Sequence, residues 1–139
     1  MIEHYPLKSW NLLCAESRPN EAILSDRLTE FANRGYETTV ITDNMMGFCL
    51  SRKKVALVFL FYQRVDKEYA YCQGGSLLAA ILSKELKVPC HLYPTDYNPE
   101  TADNGSSLLF AGNTILPRGV KSFIPQTEKI SLSYIAEKW

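Results

Sequence analysis

The sequence predicts an α/β protein with a doubly wound, mainly parallel Rossmann-like sheet and helices on both of its faces. The first observation is an apolar strand from Val55 to Phe61 that leaves no polar face, which is typical of a strand covered on both sides. The second is a polar loop after this strand, which ends in Gly74 and Gly75 and leads into an apolar helix that ends at Leu86. The third is the alternation of strand and helix signals elsewhere, which predicts right-handed parallel crossovers.

The segments before the Val55–Phe61 strand show the same alternation. A strand is predicted from Trp10 to Ala15, and a second strand, rich in β-branched residues, from Glu37 to Thr42. Between them an amphipathic helix ends at Gly35, where a left-handed C-cap is favoured. Its apolar stripe has i, i+4, i+7, i+8 spacing and consists of Leu24, Leu28, Phe31 and Ala32. A short helix from Met45 to Ser51 then returns the chain to the apolar strand.

The segments after Leu86 are less regular. A strand from Val88 to Leu92 begins within a few residues, and Leu108 to Ala111 is a candidate for a short strand. A last helix is predicted to begin at Ser131 or Ser133 and to end at Trp139, because serine is a favourable N-cap residue. The sheet is therefore predicted to have four or more strands.

Length and charge limit the classes of function. A chain of 139 residues is predicted to form a single domain over residues 1–139 and to bury roughly two-thirds of its unfolded surface. The net charge is zero and the pI is near 6.7, so there is no basic field for nucleic acid or for an anionic membrane. No apolar run approaches the ~20 residues that span a bilayer, and the N-terminus resembles no signal or transit peptide. We therefore expect a cytoplasmic protein without nucleic-acid or membrane partners.

The cysteines and glycines argue against a metal ion or a dinucleotide cofactor. The four cysteines form no C-x-x-C pair, which favours reduced thiols over a zinc site: Cys14, Cys49, Cys72 and Cys90. No G-x-G-x-x-G motif comes after the first strand, so a dinucleotide site is not expected. We expect no metal and no cofactor.

Polar residues lie directly after the Val55–Phe61 strand, at the strand end where open α/β sheets bind their ligands. Two glycines there allow positive φ, so their N–H groups and those of the first helical turn are a candidate cradle for an anion. The alternative for the same glycines is a tight turn without a ligand. The candidate ligand-binding residues of this stretch are Gln63, Arg64, Gln73, Gly74, Gly75 and Ser76.

Two other loops at strand ends add candidates. Arg18 comes after the first strand and is a candidate for bidentate binding of a phosphate, or for a salt bridge that fixes the loop. Asp43 comes after the second strand and is a candidate acceptor for sugar hydroxyl groups, or a cap of the short helix, with Asn44 beside it.

Cys72 is the candidate nucleophile. It precedes a helix start by a few residues, so the helix dipole is expected to lower the pKa of its thiol. The alternative is a small residue packed in the core.

Several blocks of the sequence, taken in order, resemble one known family. They are Glu16–Ala22, Arg27–Gly47, Gly74–Pro94 and Leu116–Val120. The blocks resemble the C-terminal Rossmann-like domain of methylthioribose-1-phosphate isomerases. That group includes ribose-1,5-bisphosphate isomerases and the regulatory α, β and δ subunits of translation initiation exchange factor 2B. The resemblance covers nearly the whole chain from Trp10 onward and implies the same fold.

The departures from the family pattern fall on its catalytic groups. The family's N-terminal helical domain and its earlier strand with a catalytic cysteine have no counterpart here. Gln63 stands where the resemblance places a catalytic aspartate, and Cys72–Ser76 replaces an N-K-I-G-T motif that holds the substrate. A carboxylate exchanges a proton near neutral pH, whereas an amide does not. The resemblance therefore implies a relative that has lost the family's turnover.

These observations support three functional hypotheses. The first is binding of a small phosphorylated sugar or nucleotide without the family's turnover. The second is a non-catalytic interaction or oligomerisation module, or half of a split isomerase-like complex, because a missing strand leaves an open edge and uncovered apolar surface. The third is a new enzyme that uses Cys72. Because relatives associate through this domain, the resemblance also implies a homodimer, or a partner chain that supplies the missing half.

Overall fold

The computed structural model describes residues 10–17, 21–52, 55–96, 109–110, 113–114, 116–121, 123 and 125–138, with the backbone alone at 21–23, 109–110, 113–114 and 137–138. Its strands in chain order are β1 (Leu12–Ala15), β2 (Thr38–Ile41), β3 (Val58–Val65), β4 (Tyr69–Gln73), β5 (Cys90–Pro94), β6 (Leu109–Phe110), β7 (Asn113–Thr114), β8 (Thr127–Ser131) and β9 (Glu137–Lys138). Its helices are α1 (Glu21–Asn33), α2 (Met46–Ser51) and α3 (Ser76–Glu85), with 3₁₀ turns at Asp43–Met45 and Leu132–Tyr134. The predicted α/β class is confirmed.

The first two strands and the helix between them form one unit. β1 and β2 pair in parallel, from Leu12 opposite Thr38 to Ala15 opposite Ile41. The crossover is α1, whose Phe31 is buried. The residues packed around Phe31 are Trp10, Leu12, Cys14 and Tyr36.

The predicted end of the first helix is confirmed by a Schellman motif. Gly35 has a φ of +79°, and its N–H donates to the carbonyl oxygen of Ala32 at 3.0 Å. The N–H of Tyr36 donates to the carbonyl oxygen of Phe31, also at 3.0 Å. These two bonds satisfy carbonyl groups that the end of the helix leaves without partners, and they direct the chain into β2.

The larger sheet has the strand order β8-β4-β3-β5-β9. β3 pairs in parallel with β5, and β5 in parallel with β9, whereas β4 pairs antiparallel with both β3 and β8. Among the described residues no ladder joins this sheet to the pair β1-β2. The two sheets are therefore separate hydrogen-bonded units.

Helices cover both faces of β3, as predicted. Leu60 is buried in the main core, which includes Ala79 and Ala80 of α3. The next residue, Phe61, lies under the guanidinium group of Arg27 from α1, at 3.4 Å from the ring centroid. Because successive side chains of a strand point to opposite faces, α1 and α3 lie on opposite sides of the sheet.

The stretch from Gln63 to Gln73 is predicted to be a loop, and this is wrong. The apolar strand runs from Val58 to Val65, later than the predicted Val55–Phe61, and a tight turn leads directly into β4. Asp66 makes the turn: its Oδ1 accepts from the N–H groups of Glu68 at 2.9 Å and Tyr69 at 2.8 Å. The result is a β-hairpin with a register shift between Tyr62 and Arg64.

The predicted last helix is also wrong. Residues 127–131 form β8 against β4, and residues 137–138 pair with β5 as β9. Ser131 does cap a helical turn, since its Oγ accepts from the N–H of Ser133 at 3.3 Å, but that turn is a short 3₁₀ segment. The capping role of Ser131 is local, whereas the pairing of residues 127–131 with β4 depends on residues far away in the sequence.

Within the described ranges, no helix is both long and apolar enough to cross a membrane. The single domain and the cytoplasmic location stay predictions.

Candidate functional site

A cavity of about 580 Å³ lies between β1 and β3 and extends to the ends of the strands. This volume is within the range of small-molecule pockets, roughly 300–1,000 Å³. Five of the predicted site residues line it: Asp43, Gln73, Gly74, Gly75 and Ser76. We call its polar part, lined by Ser17, Arg27, Asp43, Gln73 and Ser76, the polar end of the cavity.

The polar end lies at the carboxyl ends of parallel strands. Ser17 comes after β1, Asp43 after β2, and Arg27 contacts Thr95, which comes after β5. Gln73 is the last residue of β4. Because β4 is antiparallel to β3 and Cys72 pairs with Tyr62, Gln73 lies opposite Phe61 of β3. The prediction that these polar residues lie beyond the strand ends therefore describes Asp43. It is wrong for Gln73, which reaches the cavity from within β4, a strand that runs antiparallel to β3.

Asp43 links the loops that extend from β1 and β2. Its Oδ1 accepts from the backbone N–H of Ser17 at 2.9 Å. Ser17 has a φ of +55°, a left-handed conformation that a residue with a side chain seldom adopts. Such strain persists only where the surroundings hold it, and it concentrates at functional sites. Asp43 thus fixes the geometry of the polar end.

The two glycines before α3 are required by backbone geometry. A Cβ at Gly74 would lie 2.9 Å from the carbonyl oxygen of Pro125, and the N–H of Gly74 donates to the carbonyl oxygen of Gln126 at 3.0 Å. Gly75 has a φ of +90° and is the N-cap of α3. A tight turn without a ligand, the alternative prediction for these glycines, therefore explains why both positions are glycine.

A carboxylate of the chain itself lies at the start of α3. Oε2 of Glu128, on β8, accepts from the N–H of Leu77 at 2.7 Å. Two N–H groups of the predicted anion cradle, those of Gly74 and Leu77, are therefore engaged within the chain. The negative charge of Glu128 also opposes a second anion at this helix end. Gly74 and Gly75 line the cavity, but this geometry does not favour a phosphate there.

Gln73 presents a hydrogen-bond donor that the fold leaves unused. Its side chain is 8% exposed and lines the cavity, and its Nε2 is buried without a hydrogen-bond partner. A buried polar group without a partner costs about 1–3 kcal/mol, so an acceptor on a ligand would be favourable at this position.

Four predicted site residues lie elsewhere. Gln63 sits at the irregular part of the β3–β4 ladder, outside the cavity lining, with a buried Nε2 that also has no partner. Arg64 is exposed and stacks on the ring of Tyr71, at 3.7 Å from its centroid. Asn44 is exposed, and its Oδ1 accepts from the hydroxyl of Thr42 at 2.6 Å. Arg18 lies outside the described residues.

Arg27 is the site residue that sequence reasoning missed. Its guanidinium group stacks on Phe61, and Nη2 donates to the hydroxyl of Thr95 at 3.3 Å. Burial lowers the pKa of Arg27, an effect that Cys14 and Glu30 oppose. In the described part of the chain no carboxylate lies within ion-pair distance of Arg27, since Glu30 pairs with Arg34 at 3.0 Å. A signal was present: Arg27 falls at i+3 from Leu24, among the apolar stripe of α1.

Cys72 is a core residue, which corrects the prediction of a reactive thiol. Its side chain is fully buried in β4, between β3 and β8. Burial is the main cause that raises the pKa of the Cys72 thiol to about 12, and the nearby Cys90 and Glu128 raise it further. Desolvation outweighs the expected effect of the helix dipole, so the thiolate is not formed near neutral pH.

No group of three or more histidine, cysteine, aspartate or glutamate residues in the described ranges is arranged to bind a metal ion. Among the residues that the structure describes, the ionisable groups that line the cavity are Cys14, Arg27, Asp43 and Cys49. Burial raises the pKa of the Cys14 thiol, which the positive charge of Arg27 partly offsets.

The fold of this chain is similar to that of several proteins of solved structure. Over 92% of this chain, it superposes on the delta subunit of translation initiation factor eIF-2B from A. fulgidus with a TM-score of 0.74 and 19% identity. The 5-methylthioribose 1-phosphate isomerase of Pyrococcus horikoshii gives the same TM-score and coverage of this chain with 18% identity. The translation initiation factor eIF-2B of P. horikoshii gives a TM-score of 0.58, with 21% identity over 92% of this chain. The fold that the sequence resemblance implied is confirmed.

The chain spans less than half of each of these neighbours: 41% of the delta subunit, 39% of the isomerase and 46% of the third protein. No family model matches the sequence, and no curated protein matches it. At these identities the likeness shows the fold alone.

Proposed function

We propose that this chain binds a small phosphorylated sugar at the polar end of the cavity and does not isomerise it. The observation that supports this most directly is Arg27, a half-buried cation at the carboxyl ends of the strands without a carboxylate partner in the described ranges. Removing a cation from water is costly unless an anion lies beside it. A phosphate group, which guanidinium binds bidentately, meets that requirement.

The other residues of the polar end suit a polyhydroxy compound. Asp43 has carboxylate oxygens that accept from hydroxyl groups, Ser76 has a hydroxyl, and Gln73 supplies the unused Nε2–H donor. The phosphate is placed at Arg27 and not at Gly74–Ser76, because Glu128 already occupies the start of α3.

The proposal that turnover is absent rests on the proton-transfer groups. Gln63, where the sequence resemblance places an acid, is an amide that does not exchange protons and lies outside the cavity lining. Cys14, a thiol that does line the cavity, has a raised pKa and stays protonated near neutral pH.

Isothermal titration and thermal unfolding test the binding, with ribose 5-phosphate, ribose 1-phosphate, 5-methylthioribose 1-phosphate and AMP as probes. We expect at least one phosphorylated probe to raise the Tm, and unphosphorylated ribose to bind much more weakly. Arg27→Gln should weaken binding about tenfold or more, since it removes a charge-assisted contact. Arg34→Gln is the matched control: it lies close to the end of the same helix, pairs with Glu30 and should change binding less than twofold.

Two outcomes would contradict the binding proposal. The first is the absence of both heat and Tm shift with all four phosphorylated probes. The second is an equal loss in Arg27→Gln and Arg34→Gln, which would indicate a diffuse charge effect. Absence of turnover is checked separately by ³¹P and ¹H NMR, where the appearance of a ketose phosphate would refute it.

A further inference from the structure

Cys14 brings a nucleophilic group to the side of the cavity that faces α1. It lies in β1, lines the cavity and packs against Phe31 of α1. Arg27 comes four residues before Phe31, so the two side chains share one face of that helix. Burial raises the pKa of the Cys14 thiol, and the positive charge of Arg27 partly offsets this rise. The thiol and the guanidinium group are therefore neighbours.

Gln73 supplies a hydrogen-bond donor on the same side of the sheet. It lies opposite Phe61 of β3, and residues that lie opposite each other on paired strands have their side chains on one face. The guanidinium group of Arg27 stacks on that same phenylalanine, at 3.4 Å from the ring centroid. The side chain of Gln73 is 8% exposed and lines the cavity, and its buried Nε2 has no hydrogen-bond partner.

A thiol, a cation and an unused donor in one cavity indicate the groups of a matching ligand. The donor requires an acceptor oxygen, the cation an anion, and the thiol an electrophilic carbon. A carbonyl group provides both the electrophilic carbon and the acceptor oxygen, and an aldehyde is the sugar carbonyl to which thiols add most readily. The matching ligand is therefore an aldose phosphate in its open-chain form.

The need for a free aldehyde selects among sugar phosphates. A sugar whose C1 carries the phosphate has no aldehyde, and longer aldoses are mostly closed into rings. Glyceraldehyde 3-phosphate and erythrose 4-phosphate close no five-membered ring, because the hydroxyl that would close it is absent or carries the phosphate. Aldose phosphates of three or four carbons thus have the group that Cys14 requires.

We propose that Cys14 binds the aldehyde of a short aldose phosphate as a reversible hemithioacetal, with the phosphate at Arg27. This inference rests on the sugar-phosphate site proposed above and names the form of sugar that the site holds. Sγ of Cys14 forms a bond to C1, the π bond of the carbonyl group breaks, and the thiol proton passes to the former carbonyl oxygen. Nothing is oxidised or reduced, and no group leaves. The Nε2–H of Gln73 is a donor for the oxygen on C1.

A protonated thiol slows this addition but does not oppose it at equilibrium. The thiolate is the attacking species, so the rate follows the small fraction of Cys14 that is ionised near neutral pH. The net reaction joins a neutral thiol to a neutral aldehyde, and its equilibrium constant does not depend on that fraction. The site therefore suits slow and reversible binding of the sugar without turnover.

Carbon NMR of the full 139-residue chain tests for the adduct, with glyceraldehyde 3-phosphate and erythrose 4-phosphate labelled with ¹³C at C1 as probes. We expect a new C1 resonance upfield of the aldehyde hydrate, and its loss on dialysis. Unphosphorylated glyceraldehyde should need a concentration about tenfold higher for the same occupancy, because it lacks the charge-assisted contact with Arg27. Absence of the resonance with both phosphorylated probes would overturn the proposal.

Alkylation of the thiols identifies the residue that carries the adduct. Saturating glyceraldehyde 3-phosphate should slow the modification of Cys14 by iodoacetamide about tenfold or more and should not change that of Cys49. Cys49 is the internal reference, since it also lines the cavity but belongs to α2. Peptide mass spectrometry measures both rates. Equal protection of the two thiols would contradict a bond to Cys14.

Paired variants complete the test. Cys14→Ser should remove the C1 resonance, and Cys49→Ser should keep it. Arg27→Gln should abolish the preference for glyceraldehyde 3-phosphate over glyceraldehyde, and Arg34→Gln should keep that preference. A resonance that persists in Cys14→Ser, or a preference that persists in Arg27→Gln, would overturn the proposal. The alkylation result comes from the wild-type chain and does not depend on how the variants fold.

Ribose 1-phosphate separates failure of this inference from failure of the proposed function. Its C1 carries the phosphate, so it binds at the polar end of the cavity without forming an adduct. A Tm shift with ribose 1-phosphate, together with no adduct from either aldehyde, would refute the bond to Cys14 and leave the sugar-phosphate site supported. No response to ribose 1-phosphate or to either aldehyde would refute both.

Discussion

Gly74 is fixed by a contact that no other residue tolerates. A Cβ at this position would meet the carbonyl oxygen of Pro125 at 2.9 Å, and both partners are backbone, so neither moves without distorting the hairpin and the turn before β8. We expect Gly74→Ala to lower the free energy of unfolding by about 1–3 kcal/mol, as overpacking does. Urea unfolding followed by circular dichroism measures this change.

Gly47→Ala is the control for that measurement. Gly47 lies in α2, and the nearest atom to an added Cβ is Cδ1 of Leu82 at 4.0 Å, an ordinary contact. The substitution should be neutral or stabilise by up to about 1 kcal/mol, since alanine has the higher helix propensity. A loss in Gly47→Ala as large as that in Gly74→Ala would show that the close approach to Pro125 is not the cause.

Cys72 provides a second prediction at the scale of the residue. Because the thiol is fully buried and its pKa is raised to about 12, iodoacetamide should leave Cys72 unmodified in the native protein at about pH 8. Peptide mass spectrometry should show labelling of Cys72 only after urea is added. Cys49, which is partly exposed, is the internal reference. Native labelling of Cys72 faster than Cys49 would contradict burial as the controlling factor.

The sequence identifies some residues of the polar end and misses others for one physical reason. Asp43 directly follows β2, so its position along the chain already places it at the edge of the sheet. Gln73 reaches the cavity only because β4 folds back antiparallel to β3. Arg27 lies within a helix, and it reaches the same place only through the packing of α1 on Phe61. Gln63 lies outside the cavity because β4 pairs with β3 from Tyr62 onward, whereas the cavity borders only Val58–Phe61 of β3.

At the scale of elements, β8 caps a helix that is distant in sequence. Glu128 accepts from the N–H of Leu77 at 2.7 Å and places a negative charge at the positive end of α3. Glu128→Ala should lower the free energy of unfolding by about 1–2 kcal/mol, in the range of a lost helix cap. Glu128→Gln should cost less, because its amide oxygen still accepts although the charge is lost.

Glu85→Ala tests the helix-dipole argument at the other end of α3, where removing a negative charge should have the opposite effect on stability. Glu85 is the last residue of α3, and a carboxylate there lies at the negative end of the dipole. Its removal should leave stability unchanged or raise it by a few tenths of a kcal/mol. The cap interpretation fails if thermal or urea unfolding gives equal losses for Glu128→Ala and Glu85→Ala.

Elements with strong local signals can be predicted well. The helix after Gly75 and the strand near Val88–Leu92 have apolar runs bounded by clear turn residues, and both exist as α3 and β5. β4 escapes prediction because its polar flanks resemble a loop until the Asp66 turn pairs it with β3. β8 escapes prediction because its pairing partner is β4, and such long-range pairing leaves no local trace in the sequence.

At the scale of the whole molecule, the two sheets should differ in stability. β1 and β2 have four residues each, and Phe31 is the buried residue of their cluster in the described part of the chain. The larger sheet shares a core that contains Leu60, Leu92 and Ile130. We expect native-state exchange of the Cys14 and Ile41 amides to be about tenfold faster, or more, than that of Leu60 and Tyr93.

Equal exchange free energies in the two sheets would contradict this prediction and would show that the molecule unfolds as one cooperative unit.

The distance in sequence between β4 and β8 has a consequence for synthesis of the protein. β4 leaves the ribosome well before residues 127–131, at typical rates on the order of 5–20 residues per second, so its outer edge stays unpaired for several seconds. During that time α3 also lacks the carboxylate of Glu128. The nascent chain is then most exposed to edge-to-edge aggregation, and strong overexpression should yield inclusion bodies that slower translation at low temperature reduces.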